Sequence, residues 1–186
     1  MFSGLETLSE NFKDFFDNKE SCDVTLKVKD KEYKAHRIIL MARSSVFAAN
    51  FSHNVSNGQT CVVNISDCDP DSFGEFLKYL YCGRLDEFSF PSAMNLYFTS
   101  NKFDVGELKA FCIEYLTQNL TVDNVCEVAA FADKFEEMRL FSAVQDFFNK
   151  NICDIFETSD WECLMKKNFQ LGNKLLKKMS KAKLTE

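Results

Sequence analysis

The sequence is poor in the features that mark several functional classes. Its 186 residues include six glycines, two prolines and two histidines, and no run of about 18 apolar residues that could cross a bilayer. The glycines are scattered, so they form no clustered loop of the kind whose backbone N–H groups hold phosphates. The N-terminus has neither a basic leader nor an apolar signal core. We therefore expect a nuclear or cytoplasmic protein that uses no nucleotide.

An excess of basic residues is also missing. The 22 lysines and arginines are outnumbered by 28 aspartates and glutamates, which gives a net charge of −6. This charge repels phosphate backbones and anionic membrane surfaces, so neither nucleic acid nor a membrane is an expected partner. With 46% hydrophobic residues, the chain can bury a core in one domain, or in one domain with a small appendage.

The eight cysteines include none of the C-x-x-C pairs that most structural zinc sites contain. Most lie in apolar periodic segments, where a free cysteine packs as a small hydrophobic residue, so we expect reduced thiols, no metal and no cofactor. The two histidines are His36 and His53, and pairing of either with a nucleophile stays open from the sequence alone. No complete catalytic set is recognisable. We therefore expect a protein that is not an enzyme and takes no small-molecule substrate.

The hydrophobic periodicity predicts an α+β order of elements. Apolar residues recur every three or four positions over residues 5–16, which indicates an amphipathic helix. Residues 22–28 alternate as in a half-buried strand, and a polar turn followed by a short return strand predicts a hairpin. Two short helical segments then meet at Ser44 and Ser45, whose hydroxyls can cap a helix start. A third strand is predicted at residues 60–65.

Helices are predicted for the rest of the chain. Asp69 as N-cap, Pro70 at the first helical position and Gly83 as the stop signal mark one helix clearly. The last helix is basic. Such a helix can bind membranes or acidic partners, but it is more commonly a solvated terminal helix, and we favour that interpretation. The predicted domains are an α+β domain at residues 1–118 and a small all-helical extension at residues 119–186.

Two stretches, "CDVTLKVKDKEYKAHRIILMARSSVFAANF" and "VVNISDCDPDSFGEFLKYLYCGRL", resemble the BTB/POZ domain, with its D-V-x-L strand, its F/Y-x-A-H-R/K stretch and its A-x-S-x-V-F helix pair. Two later stretches, "NLTVDNVCEVAAFADKF" and "FETSDWECLM", resemble the short BACK-like helical extension of speckle-type POZ proteins. Proteins of that type usually carry a substrate-binding MATH domain before the BTB domain, whereas this chain begins almost at the first BTB helix. The resemblance implies a short β-sheet flanked by helices, followed by the helical extension.

The same resemblance implies a function in protein assembly. One hypothesis is an adaptor of a cullin-3 RING ubiquitin ligase, which dimerises through its BTB domain and links substrates or partner adaptors to the cullin. The alternative is a non-ligase scaffold or inhibitor that pairs with full-length relatives without recruiting cullin. Either function implies a homodimer or a heterodimer with related BTB proteins.

The apolar stripe on the first helix predicts an interface independently of the resemblance. It has more apolar surface than a terminal helix easily buries on its own domain, although it could also pack only inward. The resemblance places this stripe, together with one residue of the next helix, on a two-fold interface that a homodimer makes self-complementary. The predicted dimer interface comprises Leu8, Phe12, Phe15, Phe16 and Ile39.

The resemblance further implies a charged pocket and a cullin-binding loop. Asp23 and Arg37 should line a shared pocket near the dimer interface, and His36 should seat a core helix rather than act in catalysis. In cullin-3 adaptors of this family, the loop after the second short helix often carries a hydrophobic residue, any residue and then glutamate. The corresponding loop of this chain has asparagine at the acidic position. The predicted cullin contacts are Phe51, His53, Val55 and Asn57.

Overall fold

The computed structural model describes residues 3–52, 61–85 and 88–182. The chain divides into two compact units, residues 1–112 and residues 113–186. This division falls inside a helix, whereas the boundary predicted from the sequence, between residues 118 and 119, falls at the end of the same helix. The predicted domain boundary stays a prediction.

The first unit has the predicted α+β order of elements, which confirms the fold class. Its elements are α1 (Ser3–Asp17), β1 (Val24–Val28), β2 (Lys31–Ala35), α2 (Arg37–Arg43), α3 (Ser45–Ser52), β3 (Cys61–Ile65), α4 (Pro70–Cys82), α5 (Phe90–Lys102) and α6 (Gly106–Gln118). The last of these helices continues into the second unit.

The strand β1 is central in a three-stranded sheet of order β2-β1-β3. It pairs antiparallel with β2, with Val24 opposite Ala35, which confirms the predicted hairpin. It also pairs parallel with β3, with Val24 opposite Cys61. Val24, Leu26 and Val28 are fully buried, whereas the residues between them are half-buried, because successive side chains of a strand point to opposite faces.

Five phenylalanines cluster within the core of the first unit, and we call them the phenylalanine core: Phe47, Phe51, Phe73, Phe76 and Phe103. Each is at most 3% exposed. The ring of Phe103 lies 4.5 Å from that of Phe47, 5.4 Å from Phe76 and 5.8 Å from Phe73, measured between centroids. Phe51 also stacks on Phe47, at 5.8 Å. Aromatic rings in such contacts stabilise a core beyond the effect of their buried area alone.

The helix α4 begins and ends at the predicted residues. The Asp69 carboxylate accepts the backbone N–H of Ser72 at 2.9 Å. Pro70 occupies the first helical position, where an N–H would have no acceptor within the helix, so the N–H that proline lacks is not needed. At the other end, Gly83 has a φ of 69°, a left-handed conformation that glycine adopts without strain, and its N–H donates to the Tyr79 carbonyl.

Asp69→Ala should lower the free energy of unfolding by about 1 kcal/mol, because alanine leaves the Ser72 N–H without its acceptor. Asp69→Asn keeps an acceptor and should remain close to wild type. The Ser72 hydrogen bond lowers the pKa of Asp69 below its ordinary 3.8. The stabilisation by this cap is therefore complete above pH 3.8 and is lost as the pH falls through the lowered pKa. Urea denaturation at neutral pH measures the difference. Equal losses in both variants would contradict the capping role.

The second unit is built from helices, as the sequence predicts. After the end of α6 it contains α7 (Val125–Lys134), α8 (Met138–Lys150), α9 (Ile152–Phe156), α10 (Ser159–Lys167) and α11 (Phe169–Ala182). The ring of Trp161 lies 5.2 Å from that of Phe148 and 5.1 Å from that of Phe156. The Thr158 hydroxyl caps α10 by accepting the Trp161 backbone N–H at 3.2 Å. These contacts give the unit a core of its own.

Within the described ranges, no helix is both long and apolar enough to cross a membrane. The same ranges contain no group of three or more histidine, cysteine, aspartate or glutamate side chains placed to hold a metal ion. Burial raises the pKa of the Cys112 thiol to about 12 and that of Cys126 to about 11. These two thiols are therefore protonated and unreactive at neutral pH.

Candidate protein-interaction surface

The apolar stripe of α1 is only partly covered by its own unit. The Phe15 ring stacks on His36, with 4.0 Å between centroids. The Phe16 ring packs against Tyr81 of α4 at 5.0 Å. Phe15 nevertheless remains 38% exposed, and Leu8, two turns earlier, is 50% exposed. The stripe therefore both docks α1 on the unit and leaves apolar surface open.

An open groove of about 430 Å³ lies between α1, α2 and α4. We call it the α1–α2 groove, and its apolar lining consists of Leu8, Phe12, Ile39, Ala42 and Leu80. The Ser9 hydroxyl donates a hydrogen bond to the Cys82 carbonyl at 2.7 Å, which holds α1 against the end of α4. Ile38, which precedes Ile39 on α2, is 74% exposed. Apolar side chains thus continue from the groove onto the surface.

Three predicted interface residues, Leu8, Phe12 and Ile39, line the α1–α2 groove together. The other two, Phe15 and Phe16, lie further along α1 in the contacts given above. The assignment of all five to a dimer interface stays a prediction. Sequence reasoning missed Ile38, although a signal was present. Three consecutive aliphatic residues on a seven-residue helix do not share one face, so burial of one leaves another exposed.

His36 is held inside the first unit as a neutral imidazole. Its backbone N–H donates to the Tyr81 hydroxyl at 2.8 Å, and its Nδ1 lies 2.8 Å from the same oxygen. Since that oxygen accepts the backbone N–H, the hydroxyl proton is free to be donated to Nδ1. The ring proton then lies on Nε2, which is 2.8 Å from the Ser21 hydroxyl. Burial lowers the pKa of His36 below its ordinary 6.5 and raises that of Tyr81 to about 12.

These contacts fit a structural role for His36 better than a catalytic one. A nucleophilic serine needs a ring nitrogen that accepts its proton. In the tautomer that these hydrogen bonds favour, the nitrogen facing Ser21 carries the proton, so the pair lacks the required base. The imidazole is also only 5% exposed and lies against the Phe15 ring. The histidine instead connects the start of α2 to α4 through Tyr81.

Asp23 and Arg37 lie side by side where β1 and α2 begin. The Asp23 carboxylate accepts the Arg37 backbone N–H at 2.8 Å and so satisfies one of the free donors at the start of α2. The Arg37 guanidinium donates to the Phe51 carbonyl at 3.1 Å and lies 5.1 Å from the centre of the Phe51 ring. The structure thus brings the two predicted residues together. Their role as a charged pocket beside a dimer interface stays a prediction.

Among the four predicted cullin contacts, Phe51 alone lies within the described residues. It is 2% exposed and belongs to the phenylalanine core, with the Arg37 guanidinium over its ring. The prediction that its side chain contributes to a binding surface is therefore corrected, because the ring faces inward from α3. His53, Val55 and Asn57 lie outside the described residues, and their assignment stays a prediction.

Comparison with known proteins identifies the family. The model of the BTB/POZ domain matches residues 12–120. The chain is 28% identical to protein maternal effect lethal 26 of Caenorhabditis elegans over 162 residues, which cover 87% of this chain and 41% of that protein. It therefore spans about two-fifths of the relative's length. The BACK-like character of the helices beyond residue 120 stays a prediction.

A solved structure shares the fold. The BTB domain of zebrafish PATZ1 superposes with a TM-score of 0.50 at 22% sequence identity, and the match covers 62% of this chain and 90% of that chain. At this identity the likeness is evidence for the fold alone. The short sheet flanked by helices is thus the predicted BTB fold, and the chain belongs to the BTB/POZ domain family.

Proposed function

We propose that the chain is an adaptor subunit of a cullin-3 RING ubiquitin ligase, which dimerises through its BTB domain and links substrates or partner adaptors to the cullin. The observation that carries the assembly role is the open α1–α2 groove with its apolar rim. Leu8 is 50% exposed in it, and Ile38 beside it is 74% exposed. Contiguous exposed apolar residues usually mark a protein interface. Membership of the BTB/POZ family supports a role in assembly rather than catalysis.

The groove favours a second BTB domain as its partner. In a two-fold dimer both copies use the same surface patch, so each copy offers its apolar side chains to the apolar groove of the other. The polar residues Glu6, Glu10 and Asp14 of α1 are exposed and keep their charges in solvent. A homodimer and a heterodimer with a related BTB protein both satisfy this arrangement.

The link to cullin-3 is supported by the sequence of the segment that follows α3. Val55 occupies the family's hydrophobic position, whereas Asn57 occupies its acidic position. Loss of one charged hydrogen bond costs about 1.5 to 3 kcal/mol where its partner stays buried, which is about one to two decades in affinity. We therefore propose that cullin binding is weakened rather than abolished. A BACK-like extension of the speckle-type POZ kind would add compensating contact.

A second candidate function is a dimerising scaffold or inhibitor that pairs with full-length relatives and recruits no ligase. The asparagine at the acidic loop position favours it. Both candidates place the protein in the nucleus or the cytoplasm, where thiols stay reduced. Both also exclude nucleic acid and membranes as partners, in line with the net charge of −6.

Isothermal titration against the N-terminal part of cullin-3 distinguishes the two candidates. The wild-type chain should bind measurably. Asn57→Glu should lower the dissociation constant by about tenfold or more, because it restores the charged hydrogen bond. Val55→Asp should raise the constant, because it places an unpaired charge at an apolar contact.

Asn54→Glu is the matched control, since it adds the same charge to the same segment outside the motif position. It should leave the dissociation constant close to that of the wild type. Phe51→Ala is unsuitable as a probe, because it would open a cavity in the phenylalanine core. If neither the wild type nor Asn57→Glu binds, the scaffold function is the better account.

A further inference from the structure

A polar cluster with two buried members, His36 and Tyr81, lies beneath α1, and neither candidate function assigns it a role. It consists of Ser21, His36 and Tyr81, joined by the hydrogen bonds described above. The Phe15 ring covers the imidazole, and the Phe16 ring packs on the tyrosine. Both aromatic residues that dock the C-terminal half of α1 therefore rest on this cluster.

The cluster is connected to the groove through the same helix. The N-terminal half of α1 supplies Leu8 and Phe12 to the α1–α2 groove, and the C-terminal half supplies Phe15 and Phe16 to the cluster. Tyr81 belongs to both the cluster and the groove, because its side chain bonds His36 and the residue also lines the α1–α2 groove. Any change that loosens α1 from the cluster thus alters the surface offered to a partner.

The cluster accommodates a neutral imidazole and opposes a charged one. A second ring proton would lie on Nδ1 of His36 and point at the Tyr81 oxygen, which already accepts the His36 backbone N–H. The tyrosine hydroxyl would lose the acceptor of its own proton, and a buried donor without an acceptor is destabilising. The imidazolium would also be only 5% exposed. Protonation therefore favours a state in which α1 has moved away.

The charged groups around the cluster do not remove this preference. From the segment before β1, the Asp23 carboxylate raises the pKa of His36, while Lys19 lowers it; burial has a larger lowering effect than either. Cys22 and Asp23 of the same segment act electrostatically on Tyr81, and both raise its pKa. On α2, Arg37 follows directly, but its guanidinium is turned to the Phe51 carbonyl and ring. The net effect is that the pKa of His36 is lowered while α1 is docked.

We propose that His36 is an acid-sensitive latch, in which protonation of the imidazole releases α1 and so weakens assembly through the α1–α2 groove. The effect on assembly rests on the dimerisation proposed above, whereas the release of α1 does not. The released imidazole regains the ordinary pKa of 6.5. Docking is therefore fully favoured above that pH and loses stability as the pH falls from 6.5 toward the lowered pKa.

Hydrogen exchange of the α1 amides and the dimer dissociation constant, each measured at about pH 7.5 and about pH 5.8, test the latch. The lower pH lies between the ordinary histidine pKa of 6.5 and the isoelectric point of 5.1. Protection of α1 should fall by up to about fivefold, and the dissociation constant should rise by up to about 25-fold, since two protomers each take up a proton. Reduced net charge alone would have the opposite effect on association.

The two histidines allow a matched pair of variants. His53→Gln leaves His36 as the sole histidine and should keep the full response. His36→Asn offers an uncharged oxygen to the Tyr81 hydroxyl and should abolish it. If His36→Asn fails to fold, NMR of the His36 ring in His53→Gln provides the test instead. The loss of α1 protection must then follow the same pH dependence as the titration of that ring.

The outcomes separate the latch from the proposed function. A response that persists in His36→Asn, or unchanged α1 protection in His53→Gln at the lower pH, would overturn the latch. A monomer at about pH 7.5 would instead overturn the proposed dimerisation. Hydrogen exchange of the α1 amides would still test whether protonation of His36 releases α1.

Discussion

Phe12→Asp combined with Ile39→Asp should convert the proposed dimer into a folded monomer. Both side chains line the α1–α2 groove, where a two-fold partner would pack. Each aspartate would place an unpaired charge at an apolar contact. Truncation of an aromatic anchor commonly costs about 2 kcal/mol or more of association energy, which corresponds to roughly thirtyfold in the dissociation constant. Since both residues are already partly exposed in the single chain, the fold should survive.

Light scattering coupled to size exclusion measures the mass, and circular dichroism checks the fold. The control is Val62→Asp combined with Phe111→Asp, because both residues are exposed, at 55% and 46%, and neither lines the groove. The control should remain dimeric. A dimer that persists unchanged in the groove variant would exclude the groove as the interface.

Phe103→Ala should lower the free energy of unfolding by about 3 to 5 kcal/mol, the usual range for deletion of a buried phenylalanine ring. The ring is 3% exposed and contacts Phe47, Phe73 and Phe76. Its removal leaves three rings facing a cavity that they fill only by moving. Because a folded domain is stable by about 5 to 15 kcal/mol in total, this single change should remove a large share of the stability.

Urea denaturation followed by circular dichroism gives the free energy. Phe111→Ala is the matched control, because it deletes the same ring from a residue that is 46% exposed. The control should lose about 1 kcal/mol or less, since much of its apolar surface is already in water. Comparable losses in the two variants would contradict the central position of Phe103 in the core.

The parts of the fold that the sequence predicted are those that depend on near neighbours. Asp69, Pro70 and Gly83 act on backbone groups within a few residues, so the bounds of α4 follow from local chemistry. The alternation of β1 and the short turn after it likewise predict the hairpin with β2. The BTB/POZ family followed from motifs in this same part of the chain and was confirmed.

The parts that the sequence did not predict depend on distant residues. His36 bonds Tyr81, 45 positions away, and no periodicity indicates that pair. The parallel pairing of β1 with β3 is equally non-local. For Phe51, the short helix α3 is apolar on most sides, so its sequence does not specify which ring faces the core. The α1–α2 groove likewise joins Ile39 of α2 to side chains of α1 and α4, which are distant in sequence.

The position of β3 in the sheet affects how the chain folds. The β1–β2 hairpin joins neighbouring segments and can form within about 1 to 10 microseconds. The parallel partner β3 is separated from β1 by β2, α2 and α3, so its pairing requires closure of a long connection. Until then, one edge of β1 has unpaired backbone groups beside Val24, Leu26 and Val28. Such an edge is a template for pairing with other chains, so we expect refolding to be most prone to aggregation before β3 joins the sheet.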